Sequence, residues 1–243
     1  MDNDLSGKNA LVIGGSRGIG RAVVEDLAAA GAAVAFSYVN NKEAAATVVA
    51  ELAADGRTAT AYRADLGDVA EVRGLFAQAE DELGPLDIVV ANAALAIMKP
   101  LAECTEEDYD NVFGTNAKGT FFALQEAARR VRDGGRIITV STGGTQMWFT
   151  DLSLYLGSKG AVEQFSRVLS RELGPRGVTV NVVSPGFTDT DLLPDRDRAV
   201  AESMSALGRV GAPQDVAAVV AYLASDAARW LTGQNLAAAG GVF

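Results

Sequence analysis

The chain has 243 residues, 49% of them hydrophobic, enough to bury a sizeable core in a single α/β domain. Its 31 acidic residues against 21 basic ones give a net charge of −10, which disfavours a nucleic-acid or anionic-membrane partner. There is no histidine and one cysteine, Cys104, which excludes a Ser-His-Asp triad, an internal disulfide and any multi-cysteine metal site. No metal is expected, and chemistry must come from tyrosine, lysine, carboxylates, hydroxyls or a cofactor. The cysteine usage, the lack of a basic-flanked apolar leader and the lack of a bilayer-length apolar stretch lead us to expect a cytoplasmic protein without a membrane segment.

Short apolar runs alternate with segments of helical period. Asn9–Ile13 precedes a helix over Gly18–Ala30, Ala33–Tyr38 precedes Lys42–Asp55, and Thr58–Arg63 precedes Val69–Leu83. The pattern continues with a strand at Asp87–Ala91, a helix from about Glu106 to Arg132, and a strand at Arg136–Ser141. A helix from about Ser153 to Leu173, a strand at Val178–Val183 and a helix at Pro213–Ala224 complete it. Strands separated by helices imply a parallel sheet with right-handed crossovers, a Rossmann-type doubly wound fold with helices on both faces. Gly31, Gly56, Gly84 and Gly174 follow helices, where a left-handed cap needs no side chain. No linker or repeat divides the chain, so one domain is expected. Residues 187–208 lack a firm pattern and read as a lid.

The first predicted strand runs into Gly14-Gly15-Ser16-Arg17-Gly18-Ile19-Gly20 and then directly into a helix. Glycines there permit a tight turn and let a pyrophosphate approach backbone N–H groups at the positive end of the helix. At the end of the second strand an NAD enzyme places an acid for the ribose 2′-hydroxyl, but this chain reads Phe36-Ser37-Tyr38-Val39-Asn40. With no carboxylate to repel a phosphate, and with Arg17 available to pair with one, NADP(H) is favoured over NAD(H). Ser37 and Tyr38 are the candidates beside the ribose.

Tyr155 and Lys159 lie four residues apart, one turn along the same helix face. A neighbouring ammonium stabilises a phenolate, so Lys159 can tune Tyr155 for acid–base work. The hydroxyl pair Ser141-Thr142 ends the preceding predicted strand, within reach of a substrate oxygen beside the tyrosine.

In order and spacing, the glycine loop, Asp65-Leu66, Asn92-Ala93, Asn116, Ser141-Thr142, Tyr155-xxx-Lys159 and Pro185-Gly186 resemble the classical short-chain dehydrogenase/reductase family over nearly the whole chain. YLGSKGAVEQF, VTVNVVSPGFTDTDL and the C-terminal LTGQ…GG resemble the branch of 3-oxoacyl-carrier-protein reductases and naphthol reductases, which are NADPH-dependent ketoreductases. The resemblance implies that Tyr155 donates a proton to the nascent alkoxide. Lys159 would contact the nicotinamide ribose and lower the tyrosine pKa, and Asn116 would hold a water linking Lys159 to solvent. It further implies that Gly14, Ser16, Arg17, Gly18, Ile19 and Gly20 cradle the cofactor, that Asp65 and Leu66 meet adenine, and that Asn92 and Ala93 line the cofactor backbone. Pro185, Gly186, Thr188 and Thr190 would fix the carboxamide. A homotetramer is implied too, with helices near 106–132 and 153–173 pairing across symmetry axes through alanine-rich faces at Ala123, Ala127 and Ala128.

Two motifs depart from the family pattern. Ala91-Asn92-Ala93-Ala94 stands where Asn-Asn-Ala-Gly is usual. Counting from Arg136, the usual substrate-binding serine falls on Thr142, with Ser141 one place earlier; both remain candidates, Thr142 the preferred one. The run Thr145-Gln146-Met147-Trp148-Phe149, with Leu95, Ile97 and Met98, suggests a hydrophobic wall for a bulky, aromatic or acyl carbonyl compound, or else packing against the lid or another subunit. Arg129, Arg130 and Arg132 form a candidate docking patch for an acidic carrier protein, or a solvated helix end. The competing functions are oxidation of a secondary alcohol, including by an NAD-dependent enzyme, and an NADP-binding sensor without turnover. A sensor has no need of Tyr155, Lys159 and Asn116.

Overall fold

The computed structural model describes residues 4–243. Seven strands form one parallel sheet: β1 (Asn9–Ile13), β2 (Ala33–Tyr38), β3 (Ala59–Arg63), β4 (Ile88–Ala91), β5 (Arg136–Val140), β6 (Thr179–Pro185) and β7 (Asn235–Ala238). Their spatial order is β3-β2-β1-β4-β5-β6-β7. The chain moves outward from β1 to β3 and then returns to β4, so the connections leaving the carboxyl ends of β1 and β4 run to opposite sides. In an open α/β sheet that switch point is where a ligand crevice forms.

Period-two alternation sends successive strand residues to opposite faces, each covered by helices. On one face Ala10 and Val12 of β1 and Val34 and Phe36 of β2 pack under α1 (Gly18–Ala29), α2 (Lys42–Ala54) and α8 (Pro213–Ala224), which contribute Val23, Leu27, Val48 and Val220. On the other, Leu11, Ile13 and Val89 meet Phe76 of α3 (Val69–Leu83), Leu124 of α5 (Thr120–Arg130) and Leu169 of α6 (Ser153–Glu172). Fully burying one such aliphatic side chain contributes about 1.5–3 kcal/mol, and the alternation thereby fixes the strand register.

The segment expected as one helix from 106 to 132 is broken. It consists of α4 (Glu106–Phe113), a π-helical turn at Gly114–Gly119, and α5. Thr105 and Asp108 cap α4 reciprocally. Ala123 and Ala127, expected on an outward face for a partner helix, are fully buried in this chain's own core beneath α3. Gly31, Gly56 and Gly84 do take positive φ, but Gly174 does not; it opens a short 3-10 turn whose left-handed residue is Gly177. The patternless segment contains α7 (Arg198–Met204) and is tied to the body where Thr188 bridges to Gly211.

Candidate active site

One cleft of about 880 Å³ runs along the carboxyl ends of the strands, from the glycine loop to an apolar end under α7. Gly14 adopts φ 84°, and a Cβ there would lie 2.8 Å from that of Ala93. A Cβ on Gly20 would lie 1.8 Å from the Gly14 carbonyl oxygen. These contacts require glycine and let the loop turn tightly into α1. The buried Ser37 hydroxyl accepts from the Gly14 N–H at 2.9 Å, and the Asn92 side-chain amide donates to the Gly14 carbonyl at 2.8 Å. Both residues therefore hold the loop in shape. No side chain caps α1 and its first turn carries no acid, while Ser16, Arg17, Gly18 and Ile19 line the cleft. An uncapped, positively polarised helix end of this kind fits a pyrophosphate.

Tyr38, Leu66, Asn92 and Ala93 line the same end, joined by Val39, Asn40, Asn41 and Ala44, which the sequence reading did not single out. Asp65 is not among the residues lining this end. Its carboxylate is spent on the Gly67 N–H at 2.8 Å, shaping the turn before α3. Arg17 is exposed and pairs with Asp191 at 2.8 Å. Thr190 lies beside Gly18, so residues 190 and 191 cross over the loop. Pro185, Gly186 and Thr188 form the cleft wall after β6, where Ala239 packs so close to Gly186 that a Cβ there would be 2.9 Å from its Cα.

Tyr155 and Lys159 project from α6 into the centre of the cleft. Desolvation pushes the Tyr155 phenol up to about 12, opposed by the nearby Thr142 hydroxyl. Burial lowers Lys159 to about 8, and the Glu163 carboxylate pulls the other way. The expected lowering of the phenol by Lys159 is not found. The ammonium lies 6.0 Å from the Tyr155 ring centroid and donates to the Val140 carbonyl at 2.7 Å, leaving desolvation in control.

Thr142, rather than Ser141, is the hydroxyl beside the phenol. Ser141 is buried and donates to Glu163 Oε1 at 2.7 Å. Asn116 lies outside the cleft, fully buried in the π turn. Its amide accepts from the Leu95 N–H at 2.8 Å and donates to the Leu95 carbonyl at 2.7 Å and to Ser158 Oγ at 3.0 Å. Ser158 in turn donates to the Tyr155 carbonyl at 2.7 Å, so Asn116 braces the helix turn that carries the phenol. Glycines 114 and 119 flanking this turn were the available signal: a Cβ on Gly119 would lie 2.1 Å from the Leu66 carbonyl oxygen.

The apolar end is walled by Met98, Met147, Phe149, Phe187, Leu193 and Met204, with Phe149 edge-on to Phe187 at 5.8 Å. Ala94 and Ala96 face inward, whereas Leu95 and Ile97 do not line the cleft. Trp148 points away from it and is 94% exposed. Phe243, missed in the sequence, covers Gly143, where a Cβ would lie 1.8 Å from its ring. The candidate carrier patch is neutralised: Arg129 and Arg130 pair with Glu126, Arg130 also with Glu80, and Arg132 with Asp87.

Comparison with known proteins agrees with this geometry. A family model described as Enoyl-(Acyl carrier protein) reductase matches residues 13–243. Versicolorin reductase of Emericella nidulans is 40% identical, the match covering 98% of this chain and 97% of that protein. The crystal structure of a short-chain dehydrogenase from Burkholderia cenocepacia in complex with NADP superposes with a TM-score of 0.95 at 40% identity, covering 98% of each chain. That of an angucycline C-6 ketoreductase with bound NADP gives 0.95 at 43% identity, covering 98% of this chain and 96% of the other. The chain is an oxidoreductase and belongs to the classical short-chain dehydrogenase/reductase family.

Proposed function

We propose that this protein is an NADPH-dependent ketoreductase acting on a hydrophobic, aromatic or acyl carbonyl compound, with alcohol oxidation as its reverse reaction. The observation that carries the reading is a half-buried phenol, held protonated with its pKa pushed up to about 12, at the junction between the phosphate-fitting end of the cleft and its apolar end. A protonated phenol is a proton donor, and donation is what carbonyl reduction asks of it.

The bound nicotinamide cofactor supplies the hydride. The N-terminus of α1 and Arg17 bind its phosphates, and the absence of an acid at the end of β2 leaves room for a 2′-phosphate. Thr142 donates to the carbonyl oxygen as negative charge develops there, and Tyr155 delivers the proton. The Lys159 ammonium stabilises the phenolate left behind. Asn116, through Ser158, keeps the Tyr155 turn in place. Residues 187–208 act as a lid within a single domain, since Thr190 and Asp191 already span the glycine loop.

We further assign the protein to the cytoplasm as a homotetramer. Its one cysteine is free, and among the described residues no helix is long and apolar enough to cross a membrane. The test of the function is NADPH consumption across aromatic ketones, acetoacetyl thioesters, quinones and small sugars. Turnover of an apolar ketone with retention of activity only in the presence of Tyr155 supports it. NADPH binding without turnover of any carbonyl class replaces it with the sensor reading.

A further inference from the structure

Glu163 lies one helical turn beyond Lys159 on α6, with its carboxylate turned toward the end of β5. One oxygen, Oε1, accepts from Ser141 Oγ at 2.7 Å and from Thr145 Oγ1 at 2.7 Å. These donors stand on either side of Thr142, one leaving the strand and the other within the 3-10 turn Gly143–Gln146. Thr145 Oγ1 also lies 3.0 Å from the Thr142 carbonyl, but its single proton goes to the carboxylate, the nearer and charged acceptor. Of the three neighbouring hydroxyls, two are therefore committed to Glu163, and Thr142 is left to face Tyr155.

We propose that Glu163 is a positioning residue of the reductase site. By gathering the Ser141 and Thr145 hydroxyls onto one carboxylate oxygen, it fixes the chain on both sides of Thr142 and selects Thr142 as the hydroxyl that meets the substrate oxygen. The proposal rests on the ketoreductase reading for its effect on turnover, though not for its effect on the turn. A carboxylate is suited to the task because it accepts two charge-assisted hydrogen bonds at one atom, each roughly twice as strong as a neutral one. The β-branched Thr142 has few χ1 choices, so fixing its backbone also fixes the direction of its hydroxyl.

The test compares Glu163→Ala and Glu163→Gln with the unaltered protein, all saturated with NADPH. Steady-state kinetics are measured on whichever ketone the unaltered protein reduces, and amide hydrogen exchange is followed over residues 142–147. Glu163→Ala is expected to lower kcat about 10- to 100-fold, as misplacement of an oriented donor does, with the NADPH dissociation constant, measured by its fluorescence, within about twofold. Exchange at Gly144 and Thr145 should quicken at least about tenfold as the turn loosens. Glu163→Gln keeps an oxygen that accepts both hydroxyls and should recover kcat to within about threefold.

Unaltered kcat in Glu163→Ala, or equal damage in both variants, overturns the proposal. If the unaltered protein reduces no ketone, the ketoreductase reading fails and exchange alone decides: unchanged exchange in Glu163→Ala overturns the positioning role. Should Glu163→Ala not fold, the double variant Ser141→Ala/Thr145→Val removes the same two bonds from the other side, and a normal kcat there is equally decisive against it.

Discussion

Arg17 of the glycine loop and Asp191 of the 187–208 segment form an ion pair at 2.8 Å across the mouth of the cleft. The two side chains are 75% and 74% exposed, so the pair itself contributes little to stability and is easily exchanged for another anion. A 2′-phosphate is a better partner for the guanidinium than one carboxylate oxygen. Arg17→Ala is therefore expected to raise KM for NADPH about tenfold, the cost of one charge-assisted contact, while NADH changes by less than about twofold. The unaltered protein should prefer NADPH in kcat/KM. Equal efficiency with both cofactors, or equal losses in the variant, would remove the assignment of Arg17.

Tyr155→Phe removes the proton donor and leaves the apolar wall intact. Turnover should fall at least about a hundredfold, in line with the loss of a general acid, while NADPH binding measured by its fluorescence stays within about twofold. Lys159→Ala should impair both binding and turnover, because the ammonium is proposed to serve the ribose as well as the phenolate. A fully active Tyr155→Phe protein sinks the mechanism.

The neighbouring hydroxyls separate by the same logic. Thr142→Val keeps shape and volume but deletes the donor nearest Tyr155, and should cost about 100-fold in kcat. Ser141→Ala alone should be mild, within about fivefold, since Thr145 still holds Glu163. The reverse order would move the substrate-orienting role to Ser141.

Much of this was legible in the sequence because strand residues alternate strictly and glycines punctuate helix ends. Asn9–Ile13, Ala33–Tyr38 and Val69–Leu83 are found as expected, and the order of motifs places Tyr155, Lys159 and Thr142 in one cleft. What escaped had weak local signals. Asn235–Ala238 is four residues of modest hydrophobicity and is a strand only because β6 offers it a free edge. The π turn at 114–119 leaves the apolar pattern nearly continuous, so the break does not show in periodicity. The run Thr145–Phe149 suggests a wall, or packing against the lid or another subunit, but Trp148 points outward while Met147 and Phe149 face the cleft. Glu163 falls within the YLGSKGAVEQF run, but its partners Ser141 and Thr145 are 22 and 18 residues away, so no local pattern shows the pairing.

The burial of Ala123 and Ala127 changes the expected chemistry of self-association. Outward-facing apolar groups on this side are instead Tyr109 of α4, Phe121 of α5 and Val168 of α6, which are 48%, 44% and 57% exposed. Phe121 sits edge-on to Phe165 at 5.3 Å, so the α5 and α6 surfaces form one patch. If helices of neighbouring subunits meet here, Phe121→Glu places four charges in the contacts of a tetramer and should yield dimers or monomers with an unchanged circular dichroism spectrum. Sedimentation of the unaltered protein at micromolar concentration should give about four times 25.2 kDa. A stable monomer contradicts the tetramer.

The pH dependence follows from Lys159. Its ammonium, lowered by burial from the usual 10.5 to about 8, faces Tyr155 and Glu163 on its own helix and the Val140 carbonyl of β5. In the proposed mechanism the ammonium stabilises the phenolate that Tyr155 leaves on donating its proton, so deprotonating Lys159 weakens the acid. kcat/KM for reduction should therefore fall about tenfold per unit as pH rises above about 8, with NADPH saturating. Stability moves the other way over part of that range. Between about 8 and 10.5 the unfolded chain holds a proton on Lys159 that the folded chain has released, so this group's contribution to stability increases with pH. Between 10 and about 12 the folded chain keeps the Tyr155 proton that the unfolded chain loses, so the folded state binds more protons and this group's contribution to stability falls as pH rises. Loss of activity between pH 8 and 10 thus precedes any unfolding that Tyr155 ionisation contributes. A flat kcat/KM profile from pH 7 to about 10, with the fold intact by circular dichroism, would remove Lys159 from the reacting system.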